Sequence, residues 1–152
     1  MKKKIIFVCT GNTCRSPLAQ VFTKSVLKEL NEEWEVESAG VAVFAETAAS
    51  ESARLVAAEY GLDLSGHISR QLMISHLHEA DLVLAMTGNH VRAINQRYPD
   101  FKQKICALKE FLGDSGDVTD PFGGDLNIYR ASSRELRDLT VRLVEKLKNF
   151  DI

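Results

Sequence analysis

Residues Phe7 to Ser16 read FVCTGNTCRS, two cysteines and an arginine set around a glycine and an asparagine, directly after an apolar run. Cys9 and Arg15 stand in the pattern C-x(5)-R. A loop of this length, with Gly11 inside it and a helix beyond it, can turn backbone N–H groups inward, and such a nest holds a phosphate-sized dianion. The positive end of the helix and the Arg15 guanidinium both favour the thiolate of a cysteine on the floor of the nest, so Cys9 is a candidate nucleophile. Arg15 offers a planar fork that matches two phosphate oxygens and stabilises the charge spread over them during transfer. The stretch is neither a Walker A loop, which needs Gly-Lys-Ser/Thr, nor a G-x-G-x-x-G turn, so nucleoside triphosphate binding has little support.

A strand must end at this loop and a helix must begin behind it. Short apolar runs alternate with longer helical periods along the chain, which predicts repeated β-α units and a parallel sheet. Strands are expected over Lys4 to Val8, Trp34 to Ser38, Asp81 to Met86 and Ile105 to Leu108. Leu18, Val21, Phe22, Val26 and Leu30 keep helical spacing after Pro17, a residue suited to a first turn, so a helix should start directly after the quoted stretch. Further helices are expected over Ala49 to Tyr60, capped by Gly61, over Arg70 to Leu77, and over Asn89 to Tyr98 before Pro99. Ser132 and Glu135 have capping-box spacing ahead of a stripe of Leu136, Leu139, Leu143 and Leu147. Between them and the fourth strand lies an aperiodic segment, GDSGDVTDPFGGDLN at Gly113 to Asn127, of the kind that in compact domains is often functional.

Composition narrows the class. At 152 residues with 45% hydrophobic content the chain suits one domain, residues 1–152, with no linker. Nineteen basic against 21 acidic residues leave a net charge of −2, so no overall positive field recommends nucleic acid, and any bound anion needs a local site. The apolar run after Lys2, Lys3 and Lys4 is too short for a signal or a membrane span, and no membrane partner is expected. Three cysteines without a signal argue against a disulfide scaffold and for a reducing, cytoplasmic setting. Cys9, Cys14, Cys106 and the four histidines form no zinc pattern, so neither metal nor other cofactor is expected.

The sequence resembles the low-molecular-weight protein tyrosine phosphatases. VCTGNTCRS followed by PLAQ is similar to their phosphate loop, and ESAG at Glu37 to Gly40, GLDLSGHISRQL at Gly61 to Leu72, DLVLAMT at Asp81 to Thr87 and DPFGG at Asp120 to Gly124 follow in the family's order. The resemblance implies an α/β three-layer sandwich on a four-stranded parallel sheet of order 2-1-3-4, and a monomer acting on phosphorylated proteins. It implies that Cys9 forms a phosphocysteine, that Arg15 binds phosphate with Thr10, Gly11, Asn12, Thr13 and Cys14, and that Asp120 is the general acid and later the base. It also implies that Ser16 hydrogen-bonds the nucleophile, and that Ser38 and His67 help Asn12 hold an unusual backbone turn. Asp114, Asp117 and Asp125 precede no proline and read as solvated loop acids, while His76, His78 and His90 read as surface.

Thr13 departs from the family's usual branched aliphatic and resembles the protein-arginine phosphatase branch. Its hydroxyl gives a guanidinium a partner, where an aliphatic side chain would leave N–H donors unpaired at about 1–3 kcal/mol. Phe122 and Gly123, in place of the two tyrosines typical after Asp-Pro, agree; Phe122 stacks on a phenyl ring or a guanidinium alike. A tyrosine phosphatase is the alternative. An arsenate reductase is remote, because Ala80 to Gly88 holds no cysteine to pass a disulfide outward. Cys14 stays open between a structural thiol and a redox guard that captures oxidised Cys9 as a disulfide, the second supported by a matching cysteine in the family.

Overall fold

Alternate residues of the first strand face opposite helical layers, and this alternation organises the molecule. The computed structural model describes residues 2–150. Its first strand, β1 (Lys3–Cys9), lies between β2 (Trp34–Gly40) and β3 (Leu82–Ala85), with β4 (Ile105–Ala107) outside β3, all parallel in the order β2-β1-β3-β4. Ile5, Ile6, Phe7 and Val8 are each fully buried, as a parallel strand covered on both faces must be. Ile5, Phe7 and Cys9 join one apolar core with residues of α1 (Arg15–Glu29), α2 (Glu51–Glu59) and α6 (Leu126–Leu147). Ile6 and Val8 join a second core with Leu77 of α3 (Ile74–Glu79) and Ile94 of α4 (Gly88–Arg97). Three layers result, as the resemblance implies.

The predicted strands and most predicted helices match within a residue or two. Gly61 takes a φ of +74° just past α2, where glycine carries no steric cost. Three boundaries differ for identifiable reasons. The first helix begins at Arg15, inside the quoted stretch, with Cys14 as its N-cap. The third begins at Ile74, because the backbone of Arg70 to Leu72 pairs with Gly40 (Gly40 N–H to Arg70 O 2.9 Å, Leu72 N–H to Gly40 O 2.8 Å), and paired extended backbone cannot also be helical. The expected capping box at Ser132 and Glu135 does not form. Asp125 caps α6 about two turns ahead of Ser132 by accepting from Ile128 N–H at 3.0 Å, while Ser132 and Glu135 bind the backbone of Thr119.

After β4 a short helix, α5 (Leu108–Phe111), leads into the long loop, and α6 returns across α1 and α2. Leu136, Leu139, Leu143 and Leu147 form its buried stripe. Leu143 is fully buried in the core shared with β1. Leu143→Ala is expected to lower stability by about 2–5 kcal/mol, seen as a lower urea midpoint with an unchanged slope.

Candidate active site

The end of β1 and the start of α1 bracket a loop whose turn is made by Asn12. Its φ is +56°, a left-handed backbone that asparagine tolerates better than most side chains, and the residue is fully buried. The side chain is held on every polar atom. Its Oδ1 accepts from Arg70 N–H at 3.0 Å, and its Nδ2 donates to Ser16 Oγ at 2.8 Å and to Ser38 Oγ at 2.9 Å. The His67 ring donates from Nε2 to the Asn12 carbonyl at 2.8 Å, and Ser38 donates to Gln20 Oε1 at 2.6 Å. Because Ser16 Oγ accepts from Asn12, its own hydrogen is free to point at Cys9 Sγ, 2.9 Å away.

Gly40 flanks the loop where nothing larger fits, since a Cβ there would lie 2.5 Å from the Thr10 carbonyl oxygen. Beyond it the Cys9 and Thr10 carbonyls accept from Val41 and Ala42 N–H at 3.0 Å each. On the other side the Thr13 carbonyl accepts from Ser50 N–H at 2.9 Å, so the N-cap of α2 abuts the loop. Cys14 is half-buried against the α1/α6 core, and burial pushes its thiol up to about 12 although the neighbouring Tyr129 side chain and Arg15 charge oppose this. All three cysteines are free thiols.

Arg15 is 7% exposed and turns its guanidinium to the mouth of the loop. One nitrogen donates to the Val118 carbonyl at 3.2 Å and another lies 3.5 Å from Asp120 Oδ2. The long loop therefore brings Asp120 to the site, while Asp114 pairs with Arg142 and Asp125 caps α6. Asp117 accepts from Gly88 N–H at 2.9 Å. Asp120 Oδ1 also accepts from Phe122 N–H at 3.0 Å, and Gly123 at φ +81° completes the turn. Phe122 stands 86% exposed beside this turn. A thiol floor, a bidentate cation and an exposed carboxylate at one mouth are the parts that phosphoryl transfer through a covalent intermediate requires.

His90 corrects the sequence reading. Expected at the surface, it is 6% exposed, with its ring between Thr87 and Thr10. Burial, with the Arg15 charge adding, lowers its proton affinity to about 4 from the ordinary 6.5, although Asp117 and Asp120 oppose this. His76 and His78 do stay on the outer side, His76 accepting from Met73 N–H. Tyr129 and Gln20 were also missed. Nothing in local spacing marks them, for Gln20 meets the site through its bond from Ser38 on β2 and Tyr129 through the return of α6.

The profile described as low molecular weight phosphotyrosine protein phosphatase matches residues 4–150. The chain is 45% identical over 149 residues to a protein-arginine-phosphatase of Geobacillus stearothermophilus, covering 97% of this chain and 98% of that one. It is 34% identical over 141 residues to the low molecular weight protein-tyrosine-phosphatase PtpB of Staphylococcus haemolyticus, covering 92% and 96%. Among solved structures, the YwlE arginine phosphatase in a cysteine-to-serine variant with a phosphorylated active-site serine superposes with a TM-score of 0.93 at 39% identity, over 96% of each chain. These matches make the protein a cysteine-based phosphatase by class. The chain belongs to the low molecular weight phosphotyrosine protein phosphatase family.

The depressed His90 affinity ties stability to pH. A histidine kept neutral in the fold contributes stability that is complete above its unfolded value of 6.5, declines as pH falls, and is gone once pH passes about 4. His67, lowered chiefly by burial, acts in the same direction. Chemical unfolding at pH 7 and pH 4.5 is expected to show a smaller loss for His90→Gln than for the parent.

Proposed function

We propose that this protein is a protein-arginine phosphatase that hydrolyses phosphoarginine in protein substrates through a phosphocysteine. The observation that carries the substrate assignment is Thr13 at the loop rim, in a chain 45% and 40% identical to two proteins named protein-arginine-phosphatase. Cys9 Sγ attacks phosphorus in line with the departing nitrogen. The loop N–H groups of Thr10 to Cys14 and the Arg15 fork hold the equatorial oxygens as the P–N bond breaks. Asp120 gives its proton to the leaving guanidine nitrogen, then removes a proton from the water that attacks the phosphocysteine and releases phosphate. Ser16 stabilises the sulfur as thiolate when it attacks and again when it leaves, oriented by Asn12, Ser38 and His67.

The same geometry supports the reading of the substrate. An arginine side chain brings planar N–H donors to the loop rim, where the Thr13 hydroxyl accepts one and the Asp120 carboxylate, once its proton has gone, accepts another. Phe122 covers the guanidinium face, and Gly123 leaves the adjoining wall open. Cys14 keeps both readings: its contact with the apolar core supports packing, and its place in the same loop as Cys9 supports a redox guard. The reading also places the enzyme in the cytoplasm as a monomeric single domain.

A tyrosine phosphatase is the second reading, favoured by relatives such as PtpB at 34% identity. Paired assays on phosphoarginine and phosphotyrosine peptides separate the two. The parent is expected to prefer phosphoarginine, and Thr13→Ile to shift that preference by roughly tenfold to a hundredfold toward phosphotyrosine. A parent that prefers phosphotyrosine overturns the assignment. Cys9→Ser is expected to abolish turnover while retaining inorganic phosphate binding, measured by calorimetry; residual parental turnover would remove Cys9 as the nucleophile.

A further inference from the structure

The residue after Cys9 is anchored in a way the mechanism above does not use. Thr10 is exposed, yet its Oγ1 lies 2.8 Å from Nε2 of the buried His90. On the far side of that ring, Nδ1 lies 2.9 Å from Thr87 Oγ1. Thr87 caps α4, and its oxygen already accepts the His90 backbone N–H at 3.1 Å. Its hydroxyl hydrogen is therefore the natural partner of Nδ1, which makes Nδ1 an acceptor and puts the ring hydrogen on Nε2, aimed at Thr10. The polar chain runs one way, from the cap of α4 through a neutral imidazole to the rim of the loop.

We propose that His90 is a positioning residue of the phosphate loop: its Nε2–H holds the Thr10 hydroxyl and clamps the residue after Cys9 between β2 and α4. The β2 side of the clamp is the pair of bonds from Val41 and Ala42 N–H to the Cys9 and Thr10 carbonyls. Without the imidazole, the outward-facing Thr10 is tied on one side only, and the peptide linking it to Cys9 gains freedom that phosphate binding must then remove. Because His90 is buried and neutral, it provides this tether without adding a second full charge beside Arg15. The inference rests on the phosphate-loop reading but not on the choice between phosphoarginine and phosphotyrosine.

The test is a double-variant cycle on the intact protein, using inorganic phosphate as the probe in calorimetry. Thr10→Val and His90→Leu are each expected to weaken phosphate binding by about fivefold to tenfold, the worth of one hydrogen bond. The double variant should bind no more weakly than either single one, since both remove the same contact. Thr10→Ser, which keeps the hydroxyl, and His90→Gln, which keeps an N–H donor at a similar reach, should restore binding, a rescue that loss of packing alone would not give. If His90→Leu fails to fold, His90→Met, which has a longer reach and no N–H donor, takes its place in the cycle with Thr10→Val. Losses that multiply in the double variant, or parental affinity in Thr10→Val, overturn the proposal. A parent that does not bind phosphate at all overturns the phosphate-loop reading itself, a distinct result.

Discussion

A buried asparagine in a left-handed backbone is the constraint on which the rest of the site depends. The chain must leave β1, reverse, and enter α1 within five residues, and only a residue at positive φ lets the intervening N–H groups face inward. For a side chain larger than glycine that conformation costs on the order of 1 kcal/mol. Asparagine offsets it here by placing its whole amide in a dry hydrogen-bonded frame drawn from α1, β2 and the segment around Arg70. The same frame orients Ser16 toward Cys9, so the loop's shape and the contact on its sulfur share one cause.

Charge at the mouth is balanced without being closed off. Arg15 is buried enough that its guanidinium needs partners, and the Val118 carbonyl and the Asp120 carboxylate supply them. Neither contact is short, and a guanidinium carries five donors, so the fork retains capacity for an oxyanion. Asp120 sits on a turn that glycine makes possible at Gly123, on a loop held at its base by Val118 N–H to the Met86 carbonyl at 2.9 Å. Asp120 is thus carried on an exposed loop while Cys9 is fixed at the end of a strand.

Helices α2 and α4 each contribute to the loop through one polar contact, Ser50 N–H to the Thr13 carbonyl and His90 to Thr10. The loop is thus tied to both helical layers of the sandwich. Buried polar contacts of this kind hold geometry more than they add stability, because each replaces a bond to water with one of similar strength. Their value lies in pre-forming an anion site whose N–H groups are already aligned.

Much of this was legible in the amino-acid order. The alternation of strand and helix periods predicts the layers the structure shows, Arg15 of the C-x(5)-R spacing meets Asp120 of the Asp-Pro pair, and Asn12 bonds Ser38 and His67. The alternation, the spacing and the Asp-Pro pair are local properties, written in residues that are near neighbours in the chain, and the Asn12 partners followed from the resemblance. His90 meets Thr10 across 80 positions, and Tyr129 comes from the far end of the chain onto Cys14. The start of α3 was decided by backbone pairing with Gly40, and the start of α6 by Asp125 outcompeting Ser132 for the cap. These contacts depend on sheet register and helix packing, which bring distant residues together only after the layers have formed, and no local period records them. Local order reveals which side chains the loop carries; register and packing reveal what holds the loop in place, because they join residues far apart in the chain.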